Sequence, residues 1–282
     1  MDLLKRELAP ILPEAWEVID NEAARVLKLN LAARKVVDFR GPFGWKFAAV
    51  NTGRLQILPE LGDPDLNVGL RRVQPVVELR VPIKLSQMEL DSVARGAEDP
   101  DLAAVVRAAE KLARAEDNTI FNGLEPGNIT GILRASPHPP QTLPADLASL
   151  PRAVLAAREV LRQAGVGGPY MLVLGAQLYD QVRATLHEGY PIAKQIEALV
   201  DRPLVRAAAV DAAVVISVRG GDFELWIGQD ASIGYAHHDK DHVELYLTES
   251  LTSGSWNRRR QCRCFVPAKF PRHMFRRCHG AR

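Results

Sequence analysis

Trp45-Lys46-Phe47-Ala48-Ala49-Val50-Asn51-Thr52-Gly53-Arg54-Leu55-Gln56-Ile57-Leu58 is the stretch on which the fold turns. Trp45 to Val50 and Arg54 to Leu58 are extended runs about Asn51-Thr52-Gly53, a short loop with a glycine, so the pattern predicts a β-hairpin. Its continuation, Pro59-Glu60-Leu61-Gly62-Asp63-Pro64-Asp65, is loop-like and acidic. No helical pattern adjoins these runs to cover them. An isolated hairpin is marginal in water, so the pair reads as an arm whose partners lie elsewhere, in another subunit. An ordinary hairpin folded back on its own domain fits the pattern equally well.

Upstream, Trp16, Ile19, Ala23, Val26 or Leu27, and Leu31 recur at three- and four-residue steps from Pro13, while Glu17, Asp20, Glu22 and Lys28 fall between them. That spacing predicts an amphipathic helix, ended by the turn cluster Gly41-Pro42-Phe43-Gly44. Downstream, Val73 to Leu85 alternates around Pro75 and Pro82, as a strand near a sheet edge does. A long helix follows, with Asp99 as N-cap and Pro100 at its first position. Leu102, Val105, Val106, Ala109, Leu112, Glu116 and Ile120 line one face until Gly123 stops it. After the proline-rich link Ser136 to Pro144, helices (Pro151–Leu161, Ala176–Leu186 and one through Val200) alternate with a strand at Tyr170–Leu174. Strands return at Ala212–Val218, Phe223–Ile227 and His242–Leu247, which makes the chain α+β.

The 282 residues are 47% hydrophobic and 25% charged, enough apolar material for a sizeable core. No run approaches the ~20 apolar residues of a bilayer span, and Asp2, Lys5, Arg6 and Glu7 occupy the place of a signal-peptide core, so a cytoplasmic protein is expected. The charge of +2 conceals an asymmetry: residues 1–249 carry 27 basic and 34 acidic groups, whereas nine basic and no acidic residues follow Glu249. The net −7 of the body gives no general attraction for nucleic acid. All three cysteines, Cys262, Cys264 and Cys278, lie in the tail, which leaves the body without a disulfide framework.

Motifs for catalysis are lacking. No phosphate loop, dinucleotide fingerprint, nucleophile elbow or His-Glu-x-x-His pattern occurs, and the chain reads as a non-enzyme with no cofactor and no metal. Arg219-Gly220-Gly221-Asp222 joins two strands and reads as a structural hairpin rather than an anion-binding turn. His237-His238-Asp239-Lys240-Asp241-His242 has the residue types of a metal set, but its place between strands reads as a solvated turn. On the long helix only Glu116, of Glu116, Asp117 and Asn118, falls on the apolar face, which predicts a buried, paired carboxylate rather than a general base.

From Ser253 the composition switches abruptly. Cys262, Cys264, His273, Cys278 and His279 resemble a metal set, and the arginines a nucleic-acid arm, yet a reading-frame slip produces the same change. Written in high-GC codons, with one thymine restored after Thr252, the text becomes Thr-Phe-Arg-Val-Leu-Glu-Pro-Glu and continues into alanines. An alternating strand of that kind is seldom hidden in a random basic tail. Residues 253–282 are therefore read as a frameshifted tail.

Several segments carry a resemblance in order and at family spacing: Leu4-Lys5-Arg6 with Ala9-Pro10, Trp16 with Ile19-Asp20, Gly41-Pro42-Phe43-Gly44-Trp45, Glu89-Leu90-Asp91, and Gly168-Pro169-Tyr170. Arg219-Gly220-Gly221-Asp222, Gly228-Gln229-Asp230 with Ser232-Ile233-Gly234-Tyr235, and Thr248-Glu249-Ser250 complete the set. Over residues 1–250 the chain resembles the encapsulin nanocompartment shell proteins (type 1), also labelled linocin-type bacteriocins. The resemblance implies a tailed-phage major capsid protein-like fold of the Hong Kong 97-type with a peripheral lobe, an extended hairpin arm and an axial lobe. The divisions it implies are 1–45, the N-terminal helix and start of the peripheral lobe; 46–72, the arm; 73–132, the peripheral lobe with the long helix; 133–210, the axial lobe; and 211–252, the return to the peripheral lobe. The strand that the family places after Thr-Glu-Ser is absent as written.

In function the resemblance implies a self-assembling homo-oligomer, a closed icosahedral shell of about 60 subunits, which encloses cargo such as a dye-decolourising peroxidase or a ferritin-like protein. It implies no membrane partner and no specific nucleic acid. The cargo's targeting peptide is expected at Leu27, Leu31, Arg34 and Asp38, facing Ile233, Tyr235 and Leu245, an apolar seat with a charge pair. Leu27 and Leu31 fit plain core positions as well. The pore loop is expected at His187, Glu188, Gly189 and Tyr190. The position at which some relatives stack a flavin on tryptophan is Met88, so no flavin is expected. A phage-type capsid protein, or the bacteriocin or protease of the older labels, is the alternative.

Overall fold

The computed structural model describes residues 3–58, 66–255 and 262–266. The first helix, α1 (Pro13–Asn30), carries proline in its first turn and buries Trp16, Ile19, Ala23, Val26 and Leu27 on one face. After it come β1 (Asp38–Arg40), β2 (Ala49–Ile57), β3 (Gly69–Pro75), β4 (Val77–Ser86), α2 (Gln87–Ala94) and α3 (Ala103–Phe121). A small pair, β5 (Gly123–Leu124) and β6 (Ile129–Thr130), precedes α4 (Ile132–Ala135).

A second set of elements then forms: β7 (Gln141–Thr142), α5 (Leu150–Gln163), β8 (Tyr170–Gly175), α6 (Ala176–Ala184), β9 (Leu186–His187), β10 (Tyr190–Pro191), α7 (Ile192–Glu197), β11 (Val205–Ala207) and β12 (Ala213–Ser217). The chain returns through β13 (Phe223–Ile227), β14 (Ser232–His238) and β15 (His242–Ser255), and β16 (Cys262–Val266) joins the second set.

Two sheets organise these elements. One runs β1-β13-β15-β14, with β4 on the other flank of β15, and α1 and α3 cover it. The other runs β11-β8-β12-β16-β7, against α5, α6 and α7. An apolar cluster including Ile120, Phe121, Met171, Val214, Ile216, Leu225 and Leu251 is drawn from both sheets, so the two lobes share a core. Separate clusters lie beneath α1 and α3 and inside the second lobe.

Several expectations need correction. Asn51-Thr52-Gly53 is not a hairpin turn but an irregularity within β2, whose partner is β3, from Ala49↔Pro75 to Ile57↔Gly69. Periodicity could not distinguish the two, because a glycine in an extended run marks a bulge as readily as a turn. Pairing with β3 extends the arm to Ile57, and no third strand joins it among the described residues. The run from Val73 to Leu85 divides at Val76, whose N–H bonds Ala48 O at 2.9 Å, into an arm strand and a core strand. The long helix starts at Ala103 instead of Pro100, since Asp101 supplies the nearer acceptor: its Oδ1 takes the Ala103 N–H at 2.9 Å. Arg219-Gly220-Gly221-Asp222 is not a hairpin either. It carries the chain from β12 in one sheet to β13 in the other, with Arg219 bonded to Asp222 at 3.0 Å. The strand expected to be absent after Thr248-Glu249-Ser250 is present as the end of β15, which pairs with β13 from Leu251 to Ser255, because ladder bonds are made by backbone whatever the side chains. Residues 256–261 and 267–282 of the tail lie outside the described residues, as do the side chains of Cys262 and Cys264.

Core and arm are therefore expected to respond differently to truncation. In chemical denaturation, the wholly buried Leu112→Ala should cost about 2–5 kcal/mol. Leu55→Ser, exposed on the arm, should shift the stability of the isolated subunit by less than about 0.5 kcal/mol.

Candidate interaction surfaces and a buried ion cluster

α1 ends where Asn30 Nδ2 donates to Val26 O at 2.8 Å and Leu31 N–H to Leu27 O at 2.9 Å. Of the seven residues expected to seat a peptide, five belong to one apolar cluster: Leu27, Ile233 and Leu245 are buried within it, and Leu31 and Tyr235 pack against it half-exposed. The remaining two lie apart from that cluster. Asp38 opens β1 and accepts the Gly221 N–H at 2.5 Å. Arg34 sits in the elbow between α1 and β1 and is engaged internally.

The Arg34 guanidinium donates from Nε to both Glu116 oxygens at 3.0 Å, and from Nη2 to Glu116 at 2.8 Å, to Asp230 at 2.9 Å and to Glu249. Glu116 and Glu249 are buried on α3 and β15, while the Asp230 side chain is 39% exposed. Burial works against the charge on Arg34, but the three carboxylates outweigh it and raise its pKa. Burial, with the Glu116 charge beside it, pushes the Glu249 carboxyl up to about 10. Asp117, one residue along α3, accepts the N–H groups of Ala32 at 3.1 Å and Ala33 at 2.8 Å, and burial still raises its pKa to about 6. The expected buried and paired Glu116 is found. The expectation that Glu116 alone of its neighbours faces inward fails, since Asp117 is buried too, satisfied by backbone that no helical periodicity reveals. In the sequence Asp230 and Glu249 stand only inside the Gly228-Gln229-Asp230 and Thr248-Glu249-Ser250 motifs, with no sign of what they bind.

His187 and Tyr190 pair across the β9–β10 hairpin, whose two turn residues, Glu188 and Gly189, both have positive φ (51° and 77°). A two-residue hairpin turn demands that geometry, and glycine meets it without strain. The Ile192 N–H bonds Thr185 O at 3.1 Å across its base, and Leu186 and Tyr190 are exposed at its flanks. Met88 is likewise exposed on α2. His237 and His238 end β14 and a half-exposed His242 opens β15, so the exposed turn between them is 239–241; Tyr235 OH lies 2.6 Å from His238 Nδ1.

The arm exposes Leu55, Ile57, Leu70 and Val73 to about half or more of their surface, and its strands carry Arg54, Arg71 and Arg72 with no acidic residue. Near its root, Phe43 stacks on Trp226 at 5.5 Å between ring centroids and contacts Phe47 at 4.8 Å. Sequence reading missed this aromatic group, because Trp226 comes from a distant strand.

Removing the guanidinium leaves the buried Glu116 carboxylate without its cation. Arg34→Met is therefore expected to destabilise the subunit by about 3–5 kcal/mol. Denaturant titration of wild type and variant checks this.

The family described as "Encapsulating protein for peroxidase" (Linocin M18) matches residues 1–252, ending one residue before the composition switch. A type 1 encapsulin shell protein of Rhodospirillum rubrum is 48% identical over 260 residues, covering 89% of this chain and 92% of its own length. Its counterpart in Mycobacterium tuberculosis is 46% identical over 252 residues, covering 89% and 95%. Among solved structures, the virus-like particle of Pyrococcus furiosus aligns with a TM-score of 0.65 at 13% identity, over 88% of this chain and 98% of that one. A chain of Mycobacterium phage Bobi aligns at 0.55 and 14% identity, over 86% and 91%. These neighbours share the Hong Kong 97-type capsid fold seen here. With such relatives, and a family match from residue 1 to 252, this chain belongs to the encapsulin shell protein family.

Proposed function

We propose that this chain is a shell subunit of a cytoplasmic encapsulin nanocompartment, a structural protein whose copies close into an icosahedral cage of about 60 subunits. The observation that carries the reading is the arm: a two-stranded sheet that leaves its large apolar residues in water. Such a hairpin gains stability only when another copy covers its faces or edges, and closed symmetry supplies that copy at every position. Among the described residues no helix is long and apolar enough to cross a membrane.

The enclosed cargo is proposed to be a dye-decolourising peroxidase or a ferritin-like protein, held by its targeting peptide at the end of α1. Leu31 and Tyr235 offer the accessible apolar surface there, over a floor of Leu27, Ile233 and Leu245. Arg34 and Asp38 shape the seat, since both already hold partners within the subunit. In the same reading, His187, Glu188, Gly189 and Tyr190 ring a symmetry axis, where each charge is repeated around an opening and biases what passes. Residues 253–282 are proposed to come from a slipped frame. Reading the gene's nucleotides across Thr252 decides that point, since uninterrupted codons without a missing base would reject the slip.

Size-exclusion chromatography with electron microscopy should show hollow particles far larger than the 31.1 kDa chain once the frame is restored. A protein that stays a single subunit at ordinary concentrations sinks the shell reading. In assembled shells, Leu31→Glu and Tyr235→Glu are expected to lower co-purification of the peptide-bearing cargo about tenfold or more. Full loading of both variants removes the peptide seat from this surface.

A further inference from the structure

Three carboxylates converge on one guanidinium, and two of the three have no access to water: Glu116 is 0% and Glu249 1% exposed, while Asp230 is 39% exposed. A single positive charge neutralises one buried acid. Glu116 takes that role, with both of its oxygens on Arg34. Glu249 reaches Arg34 through Oε1 only, and its Oε2 is buried with no hydrogen-bond acceptor or donor partner among the described residues. An ionised carboxylate with a bare buried oxygen is costly. Protonated, the Glu249 carboxyl carries an O–H, and the Glu116 side chain, its hydrogen-bonding neighbour, can accept it.

We infer that Glu249 stores a proton at neutral pH, and that this proton locks the elbow after α1 to α3 and β15 through the Arg34–Glu116–Glu249 contact. The groups facing Glu249 fit this arrangement. The elbow contributes Arg34, α3 contributes Glu116, and the turn before β14 contributes Asp230. Asp117 is turned away onto the Ala32 and Ala33 N–H groups, and Thr252 of the same strand is uncharged. No second cation reaches the cluster among the described ion pairs. Removing the proton would place two adjacent buried negative charges against one guanidinium, and their repulsion would act at the elbow, the one member of the trio outside regular sheet and long helix.

The sign follows from linkage. The folded state holds Glu249's proton from its ordinary value of 4.5 up to about 10, whereas the unfolded chain releases it near 4.5. Stability from this group therefore falls as pH rises across that window and is lost above it. The shell reading is not needed for this inference, which concerns one subunit and stands or falls separately from assembly.

Infrared difference spectroscopy on the full chain tests it, together with amide hydrogen exchange over residues 32–36 corrected for intrinsic pH dependence. The wild type should show the carbonyl band of a protonated, water-shielded carboxylic acid at pH 7, lost on strongly alkaline titration, while elbow exchange rises about tenfold. Glu249→Gln, an isostere of the protonated form, should lack the band and hold slow elbow exchange at both pH values. Glu116→Gln should also abolish the band, because Arg34 is then free to pair with an ionised Glu249. A band that persists in Glu249→Gln or in Glu116→Gln, or elbow exchange that rises equally in wild type and Glu249→Gln, overturns the inference.

Discussion

Strand β15 is the constraint around which the rest of the subunit is arranged. Its fourteen residues pair with β4 on one side from His242 to Leu251, and on the other side first with β14 and then with β13. Segments far apart in sequence are thus placed by one ladder: the root of the arm through β4, the link to the second lobe through β13, and the N-terminal segment through β14, where the Tyr235 N–H bonds Leu4 O at 2.8 Å. Inward residues Val243, Leu245 and Leu247 meet α1 and α3, so the strand also sets where the helices lie. The alternation that makes this possible is the two-residue period of a strand with one buried face.

The same inward row carries Glu249, and its burial forces the chemistry of the elbow. A carboxylate at a core position must find charge or a proton, and here it meets Arg34 from the chain between α1 and β1. Arg34 in turn draws in Glu116 and Asp230, so four segments converge on one planar group. The apolar contacts of α1 hold it broadly against the sheet. The ion cluster and the Asp117 bonds to Ala32 and Ala33 fix the direction in which the chain leaves it.

The arm follows the opposite rule. Its backbone is paired, yet its apolar side chains remain in water, a condition that an isolated subunit does not relieve. In the proposed shell a neighbouring copy relieves it without any change in the body, which has its own cores.

By itself the sequence determined the two long helices and the faces they bury. The three- and four-residue recurrence of Trp16, Ile19, Ala23 and Val26, or of Val105, Ala109, Leu112 and Glu116, reports one buried face, because helical geometry is local. It also showed that a carboxylate lay inward at Glu116, and motif spacing pointed to a shell protein. Tertiary structure alone decided pairing: that β2 runs through Gly53 to meet β3, that Arg219–Asp222 crosses between sheets, and that Arg34, Glu116, Asp230 and Glu249 share a site. Strand register and ion pairing are relations between residues distant along the chain. They are set by which surfaces meet when the core closes, and no period within one segment encodes them.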